Sequence, residues 1–316
     1  MYKAKKLKKV LGDKLKENIV MRDYTTMKVG GVADYFFEAK NTEDLISAVL
    51  AAREDEIPFF VLGWASNVLI SDYGYPGLMI VNKSQNISAL PDTSQLIADS
   101  GVNLVKLVLY AINHNLGGLE KLFGIPGTVG GCIYGNAGAY GMEIFDFLHT
   151  VTMLSPNNKI ISRPKSWFEP KYRSTILKRD KKRDYIILTA KFQLFQSKKK
   201  HMMHTISDIR SQRDDKFDQL GPSCGSIFKN PSSGRIYKNI ELAKKHSAGY
   251  LLDSIDAKKM KVNGAGVYKK HSNIIENQNM ANAKDVRLLI EKLRDKVRKN
   301  SGISLEEEIE YVGQWE

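Results

Sequence analysis

Gly124-Ile125-Pro126-Gly127-Thr128-Val129-Gly130-Gly131-Cys132-Ile133-Tyr134-Gly135-Asn136-Ala137-Gly138-Ala139-Tyr140-Gly141 is the stretch on which the reading of this chain turns. Seven of its eighteen residues are glycine, against 24 in all 316. It contains no Lys or Arg although the protein is basic. Glycine permits positive φ and lets a ligand approach the main chain closely. A run this dense reads as a loop whose N–H groups face an anion, of which a diphosphate is the natural candidate. A flexible linker is the plainer reading. Ile125, Val129, Ile133 and Tyr140 are poor linker residues, and Pro126 stiffens the entry.

Working outward, Leu62-Gly63-Trp64-Ala65-Ser66-Asn67-Val68-Leu69-Ile70-Ser71-Asp72 carries a buried strand into a small, polar turn. Ser66 and Asn67 offer side-chain donors, which makes a second candidate cradle; alone, the segment would be an ordinary capped turn. Neither segment is a GxxxxGK[ST] loop or a GxGxxG turn after a strand, so simple nucleotide-binding folds are disfavoured.

The rest of the first half reads as mixed sheet and helix. Thr42 to Glu56 is an amphipathic helix with Thr42 as cap and Leu45, Ile46, Val49 and Leu50 as its apolar stripe. Phe59–Leu62 and Leu78–Val81 follow it as expected strands in a β-α-β pattern. Asn103 to Asn115 is a second helix, ended by Gly117. Val151–Leu154 and Tyr185–Leu194 are further strands. Composition changes near Gln196 to His204, read as a connection or domain boundary. In the second half Val286, Leu289, Ile290, Leu293 and Val297 recur at helical spacing from Ala283 to Asn300, with Asn282 before and Gly302 after.

Composition bounds the rest. Two or three domains suit the length of 316 residues. Two cysteines, Cys132 and Cys224, give neither a disulfide framework nor metal-ligand spacing, and the six histidines form no cluster, so no metal is expected. No apolar run is long enough for a membrane helix and no signal core follows the basic start, so a cytoplasmic location is expected. The net charge of +13 suits nucleic acid, an anionic small molecule or a solvated surface. No recognition-helix or RNA-binding signature accompanies it, which makes nucleic acid the minor reading.

Three more segments carry candidate chemistry. In Tyr172-Arg173-Ser174-Thr175 the guanidinium fork suits a carboxylate or enolate, although a lone arginine is most often a surface residue. Pro222-Ser223-Cys224-Gly225-Ser226-Ile227-Phe228-Lys229-Asn230-Pro231 frames a serine able to donate a proton and a lysine able to attract phosphate, with Cys224 as a rival acid. In Leu305-Glu306-Glu307-Glu308-Ile309-Glu310, strand alternation would put Glu306, Glu308 and Glu310 on one face. Such glutamates are usually just solvated.

In this order and wording the segments resemble the UDP-N-acetylenolpyruvoylglucosamine reductase family. The resemblance begins at Tyr24-Thr25-Thr26-Met27-Lys28-Val29-Gly30-Gly31-Val32-Ala33-Asp34. It takes in Leu62–Asp72, Gly124–Gly141, Tyr172-Arg173-Ser174, Gly225–Pro231, Ala248-Gly249-Tyr250-Leu251-Leu252 and Lys270-His271-Ser272-Asn273, closes on Leu305–Gly313, and covers nearly the whole chain. The short spacing from Gly141 to Arg173 and the Ser-Cys-Gly-Ser loop look like the family's shorter subtype.

The resemblance implies an α+β protein: an FAD-binding domain of the vanillyl-alcohol-oxidase (PCMH-like) type over 21–197, after a basic lead-in at 1–20, with a separate α+β substrate domain over 198–316. It implies that NADPH reduces FAD, that hydride passes to C3 of the enolpyruvyl group, and that C2 is protonated to give UDP-N-acetylmuramate for peptidoglycan synthesis. Under it Ser226 is the proton donor, and Arg173 and Glu308 polarise the carboxylate and stabilise the enolate-like species. Gly63, Ser66, Asn67, Gly124, Pro126, Gly127, Thr128, Gly130, Gly131, Asn136, Ala137 and Gly138 lie where the family handles FAD. Tyr172, Lys229 and Asn230 lie where it handles substrate. A monomer is expected.

The chain departs from the family pattern at Trp64 and Ala65, where glycines are expected, at Phe217-Asp218-Gln219-Leu220, which lacks a proline, and at Lys258-Lys259-Met260, which replaces a lysine-glycine turn. The competing readings are another FAD oxidoreductase on the same fold, or a divergent flavin- or nucleic-acid-binding protein. Oxidases of this fold often attach flavin through a histidine, and none lies in 62–72 or 124–141.

Overall fold

A computed structural model describes residues 4–231 and 247–315. The chain divides into two compact units, each built from non-contiguous segments. The first comprises Met1–Asn18, Asp34–Trp64 and Gly77–Asp215; the second comprises Ile19–Ala33, Ala65–Pro76 and Lys216–Glu316. Both mix helix and sheet, as the α+β reading requires.

The first unit holds two larger sheets. In the four-stranded sheet the order is Lys16–Val20, Val32–Ala39, Tyr75–Asn82, Phe59–Leu62. Phe59–Leu62 runs parallel to Tyr75–Asn82 with Phe59 opposite Leu78. Parallel neighbours need a covered face. The helix Thr42–Glu54 supplies cover through Leu45, Ala48 and Val49, packed in one core with Leu7, Phe37 and Ile80. The cap of this helix is Asn41, whose side chain accepts from Asp44 N–H at 2.7 Å. That corrects the expected cap: Thr42 is already helical, and its hydroxyl donates to Asp99 instead.

The five-stranded antiparallel sheet runs Ile160–Pro164, Leu148–Leu154, Ile186–Gln193, Gln95–Asp99, Ile87–Leu90. The helix Leu104–Asn113 buries Leu104, Leu107, Val108 and Ala111 in the core of this sheet, with Asn103 accepting from Val105 N–H at 2.9 Å. It stops at His114, while Gly117 belongs to a short strand pairing with Phe195–Gln196, so Gly117 does not end the helix. The stretch read as a connection at 196–204 instead opens the 19-residue helix Lys199–Phe217. Its apolar face is only Met202, Ile206 and Ile209.

In the second unit the antiparallel order is Ser223–Ser226, Ile274–Asn277, Ala265–Val267, Lys261–Val262. The helix Ala283–Ser301 buries Val286, Leu289, Ile290, Leu293 and Val297 in its core. Asn282 and Asp285 form a capping box, and Gly302 closes the far end at φ 72°. Asp72 adds two more acceptors, each 2.9 Å from Ala283 and Lys284 N–H, so four orphan donors find carboxylate or amide oxygens. Glu310–Val312 pairs in parallel with Val68–Ile70. Among the described residues no helix is long and apolar enough to cross a membrane.

Candidate active site

In the first unit the glycine-rich segment is half helix. Val129–Gly135 forms a short helix capped by Thr128, and Asn136 ends it in the left-handed region at φ 48°. Several of its N–H groups are consumed internally. Val129 donates to Val102 O and Gly130 to Ser100 O, each at 2.8 Å, while Cys132 donates to Thr128 O and Gly131 to Thr128 Oγ1. The expectation that the glycine N–H groups as a set face an anion is thereby narrowed. Among the described residues the N–H groups of Gly127 and Thr128 make no such bond, as is also true of Gly124, Tyr140 and Gly141.

Gly63 ends its strand against this loop: a Cβ there would sit 2.4 Å from Thr128 Oγ1. Only glycine permits that approach. Asn136 is fully buried; its amide donates to Glu143 at 2.7 Å and to Lys171 O at 2.9 Å, while its own Oδ1 has no partner. A backbone cradle with uncommitted N–H groups at Gly127 and Thr128 and close backbone approach at Gly63 fits the diphosphate of a dinucleotide cofactor such as FAD.

Arg173 is tied to the same loop. Its guanidinium donates to the carbonyls of Asn136 and Gly138 and lies over the Tyr172 ring at 4.8 Å. Its φ of 52° is a left-handed conformation for a bulky residue. Such strain of order 1–3 kcal/mol persists where the surroundings over-determine it, which is common at functional sites. Cys132 lies within its field, yet burial pushes that thiol up to about 12, with the Arg173 charge opposing. Sequence reasoning missed Arg213, whose Nε would be 2.5 Å from a Cβ on Gly124 and which hydrogen-bonds Tyr140. No motif signal marks it.

In the second unit the structure assembles Ser226, Glu308 and Asn67. The strand Ser223–Ser226 carries a register shift between Ser223 and Ser226, and Gly225 sits there at φ 78°. A bulge of this kind re-aims side chains. Cys224 sinks fully into the core while Ser226 stays partly exposed. Burial pushes the Cys224 thiol up to about 12, so it is a poor rival acid.

Past Ser226 the chain forms an antiparallel bridge, Phe228 opposite Glu307. Glu308 N–H donates to Ile227 O at 2.7 Å and Lys229 N–H to Glu306 O at 2.8 Å. Asn67 Nδ2 donates to the Glu308 carbonyl at 3.2 Å, and Asn67 O accepts from Glu310 N–H. At least one donor of Asn67 thus holds the glutamate strand rather than an anion. The Ser66 carbonyl comes within 3.4 Å of a Cβ placed on Gly225. Lys229 ion-pairs with Glu306, and Asn230 Oδ1 accepts from Ala248 N–H at 3.0 Å. The expected glutamate alternation holds for the buried Leu305 and Ile309, but regular strand begins only at Glu310.

The departures from the family pattern have different weights. Ala65 lies at φ 52° and is 4% exposed, so this position does call for a glycine-like conformation. Trp64 is exposed. None of residues 258–260 adopts positive φ, so Lys259 needs no glycine. Tyr268 OH donates to the Asp218 carbonyl at 2.6 Å, holding the segment that lacks the proline.

Comparison with known proteins agrees with this geometry. Residues 215–312 match the UDP-N-acetylenolpyruvoylglucosamine reductase C-terminal domain, and residues 33–162 match an FAD binding domain. The UDP-N-acetylenolpyruvoylglucosamine reductases of Clostridium novyi and Solibacter usitatus are each 34% identical, over 98% and 92% of this chain and 96% and 94% of their own lengths. The crystal structure of the Thermus caldophilus enzyme of the same name superposes with a TM-score of 0.76 at 28% identity, covering 94% of this chain and 99% of that one. With a matched FAD binding domain, a matched reductase domain and full-length relatives above 30% identity, this chain belongs to the UDP-N-acetylenolpyruvoylglucosamine reductase family.

Proposed function

We propose that this chain reduces the enolpyruvyl ether of UDP-N-acetylglucosamine to UDP-N-acetylmuramate, with NADPH as reductant and FAD as the bound carrier. The observation that carries the mechanism is the bulge that presents Ser226 immediately before Ile227, whose carbonyl accepts from Glu308 N–H. The overall balance is NADPH plus a proton plus the enolpyruvyl ether, giving NADP and the lactyl ether. FAD, when bound, supplies the hydride it has taken from NADPH.

Hydride added at C3 pushes negative charge through C2 toward the carboxylate. Arg173 meets that charge with a guanidinium already oriented by two loop carbonyls, and pre-oriented charge stabilises the transition state more than the ground state. Glu308 is proposed to take part in orienting and polarising the carboxylate. Ser226 donates its proton to C2; serine is a very weak acid, and a carbanion-like carbon is basic enough to take it. Gly63, Ser66, Asn67, Gly124, Pro126, Gly127, Thr128, Gly130, Gly131, Asn136, Ala137 and Gly138 are proposed to hold FAD, and Tyr172, Lys229 and Asn230 the substrate. Residues 21–197 are proposed as the flavin-binding part, after the lead-in at 1–20, and 198–316 as the substrate part. The protein is proposed to act as a cytoplasmic monomer in peptidoglycan precursor synthesis.

The test is NADPH consumption by the purified, flavin-loaded protein with and without the enolpyruvyl substrate. Stoichiometric UDP-N-acetylmuramate supports the reading; NADPH oxidation indifferent to the substrate rejects it.

A further inference from the structure

Phe228 is 1% exposed, and its own N–H and C=O do not bond to the glutamate strand, because the bridge to Glu307 is made through its neighbours. Both groups must find partners elsewhere. They find them in a single side chain. Phe228 N–H donates to Asn273 Oδ1 at 2.9 Å, and Asn273 Nδ2 donates to Phe228 O at 2.8 Å. One residue earlier, Ile227 N–H donates to the Asn273 carbonyl at 2.9 Å. Asn273 is 5% exposed, so water does not compete.

Asn273 therefore acts as a surrogate peptide group, extending the sheet to a residue that the ladder does not reach. Its hold falls between the two proposed reacting groups. Ser226 immediately precedes Ile227, and Ile227 O receives the Glu308 N–H at 2.7 Å. Shift Ile227 and Phe228, and Ser226 and Glu308 move relative to one another.

We propose that Asn273 is a positioning residue for the reaction: by clamping both polar groups of Phe228, its side-chain amide sets the geometry between Ser226 and Glu308 in the substrate-reducing step. This rests on the proposed function above. Aspartate at 273 would keep the acceptor but lose the donor to Phe228 O; alanine would lose both. A misplacement near 1 Å can slow a positioned reaction about a hundredfold.

The experiment separates the two half-reactions by anaerobic stopped flow on the flavin-loaded protein. For Asn273→Ala and Asn273→Asp we expect flavin reduction by NADPH within about twofold of the unmodified protein, while reoxidation by the enolpyruvyl substrate falls about tenfold to a hundredfold. The solvent deuterium isotope effect on reoxidation should rise, because proton delivery is what has become misaligned; a general loss of packing would not produce that selective rise. Reoxidation at the normal rate, or equal slowing of both half-reactions, overturns the proposal. Should the variants fail to fold, hydrogen exchange on the unmodified protein decides. Phe228 and Ile227 amides should be as protected as those of Ala265–Val267, and loop-like exchange there overturns the clamp. If the unmodified protein is not reoxidised by substrate at all, it is the proposed function that fails.

Discussion

Glu308 and Ile227 are joined by a 2.7 Å hydrogen bond from the glutamate N–H to the isoleucine carbonyl, one residue beyond Ser226. The two segments are about eighty residues apart in sequence. Their contact is what turns two unremarkable loops into a candidate proton-transfer site.

Replacing Ser226 with alanine should leave flavin reduction by NADPH nearly intact and slow reoxidation by substrate by roughly 10²- to 10⁴-fold, the span ordinarily lost with a general acid. Cys224→Ala should cost stability through a small core cavity but spare that step, because the thiol is fully buried and pushed up to about 12. If the cysteine variant shows the reoxidation defect and the serine variant does not, the acid has been misassigned.

Ala65 holds a left-handed conformation, φ 52°, which costs an L-residue about 1–2 kcal/mol. Ala65→Gly should relieve part of this and stabilise the protein by about 1 kcal/mol, after the greater entropy of unfolded glycine is deducted. Calorimetry of the apoprotein should show a rise of about 1–2 °C in Tm. A fall in Tm would mean the buried methyl matters more than the backbone.

Gly63→Ala puts a methyl 2.4 Å from Thr128 Oγ1. Thr128 must swing away, surrendering its cap on Val129–Gly135, worth about 1 kcal/mol. FAD affinity should weaken about tenfold, equivalent to roughly 1.4 kcal/mol, measured by flavin fluorescence titration. Unchanged affinity would remove this contact from the cofactor site.

His271 predicts an acid sensitivity. Burial, seconded by Lys216 and opposed by Asp253, lowers its pKa to about 4, and its Nδ1 accepts from Asn273 N–H at 3.2 Å. An acceptor nitrogen belongs to the neutral ring. The unfolded chain, at its usual 6.5, binds a proton that the folded chain refuses, so this contribution is fully present above about pH 6.5 and is lost as pH falls toward 4. The loss is about 3 kcal/mol at most. Urea melts of the His271→Gln variant between pH 4 and 7 should show a flatter stability profile than the unmodified protein; parallel profiles would refute the assignment.

Much of this was legible in the chain itself. The helix Ala283–Ser301 announced itself through periodicity, Asn282 and Gly302, because its apolar face and both caps are local. The helix Lys199–Phe217 did not, since three buried residues among lysines and histidines make a faint stripe. Capping at Asn41 rather than Thr42 turned on a one-residue choice between two good caps. Gly63 against Thr128, and Ser226 beside Glu308, are long-range contacts with no local signature, so only the resemblance put those residues together. Asn273 stood in a quoted motif, but its role depends on which way Phe228 turns its polar groups, and that is a property of the assembled sheet.

The central claim is that one protein carries hydride from NADPH to an enolpyruvyl ether and delivers the proton from Ser226. Its most direct measurement is an anaerobic single turnover: flavin-loaded protein reduced with one equivalent of NADPH, then mixed with substrate in D2O. The flavin should be reoxidised with one equivalent of UDP-N-acetylmuramate formed, deuterated at C2, and that burst should be lost in Ser226→Ala. Protein that stays colourless when offered FAD, or reduced flavin that the substrate leaves unoxidised, would contradict it.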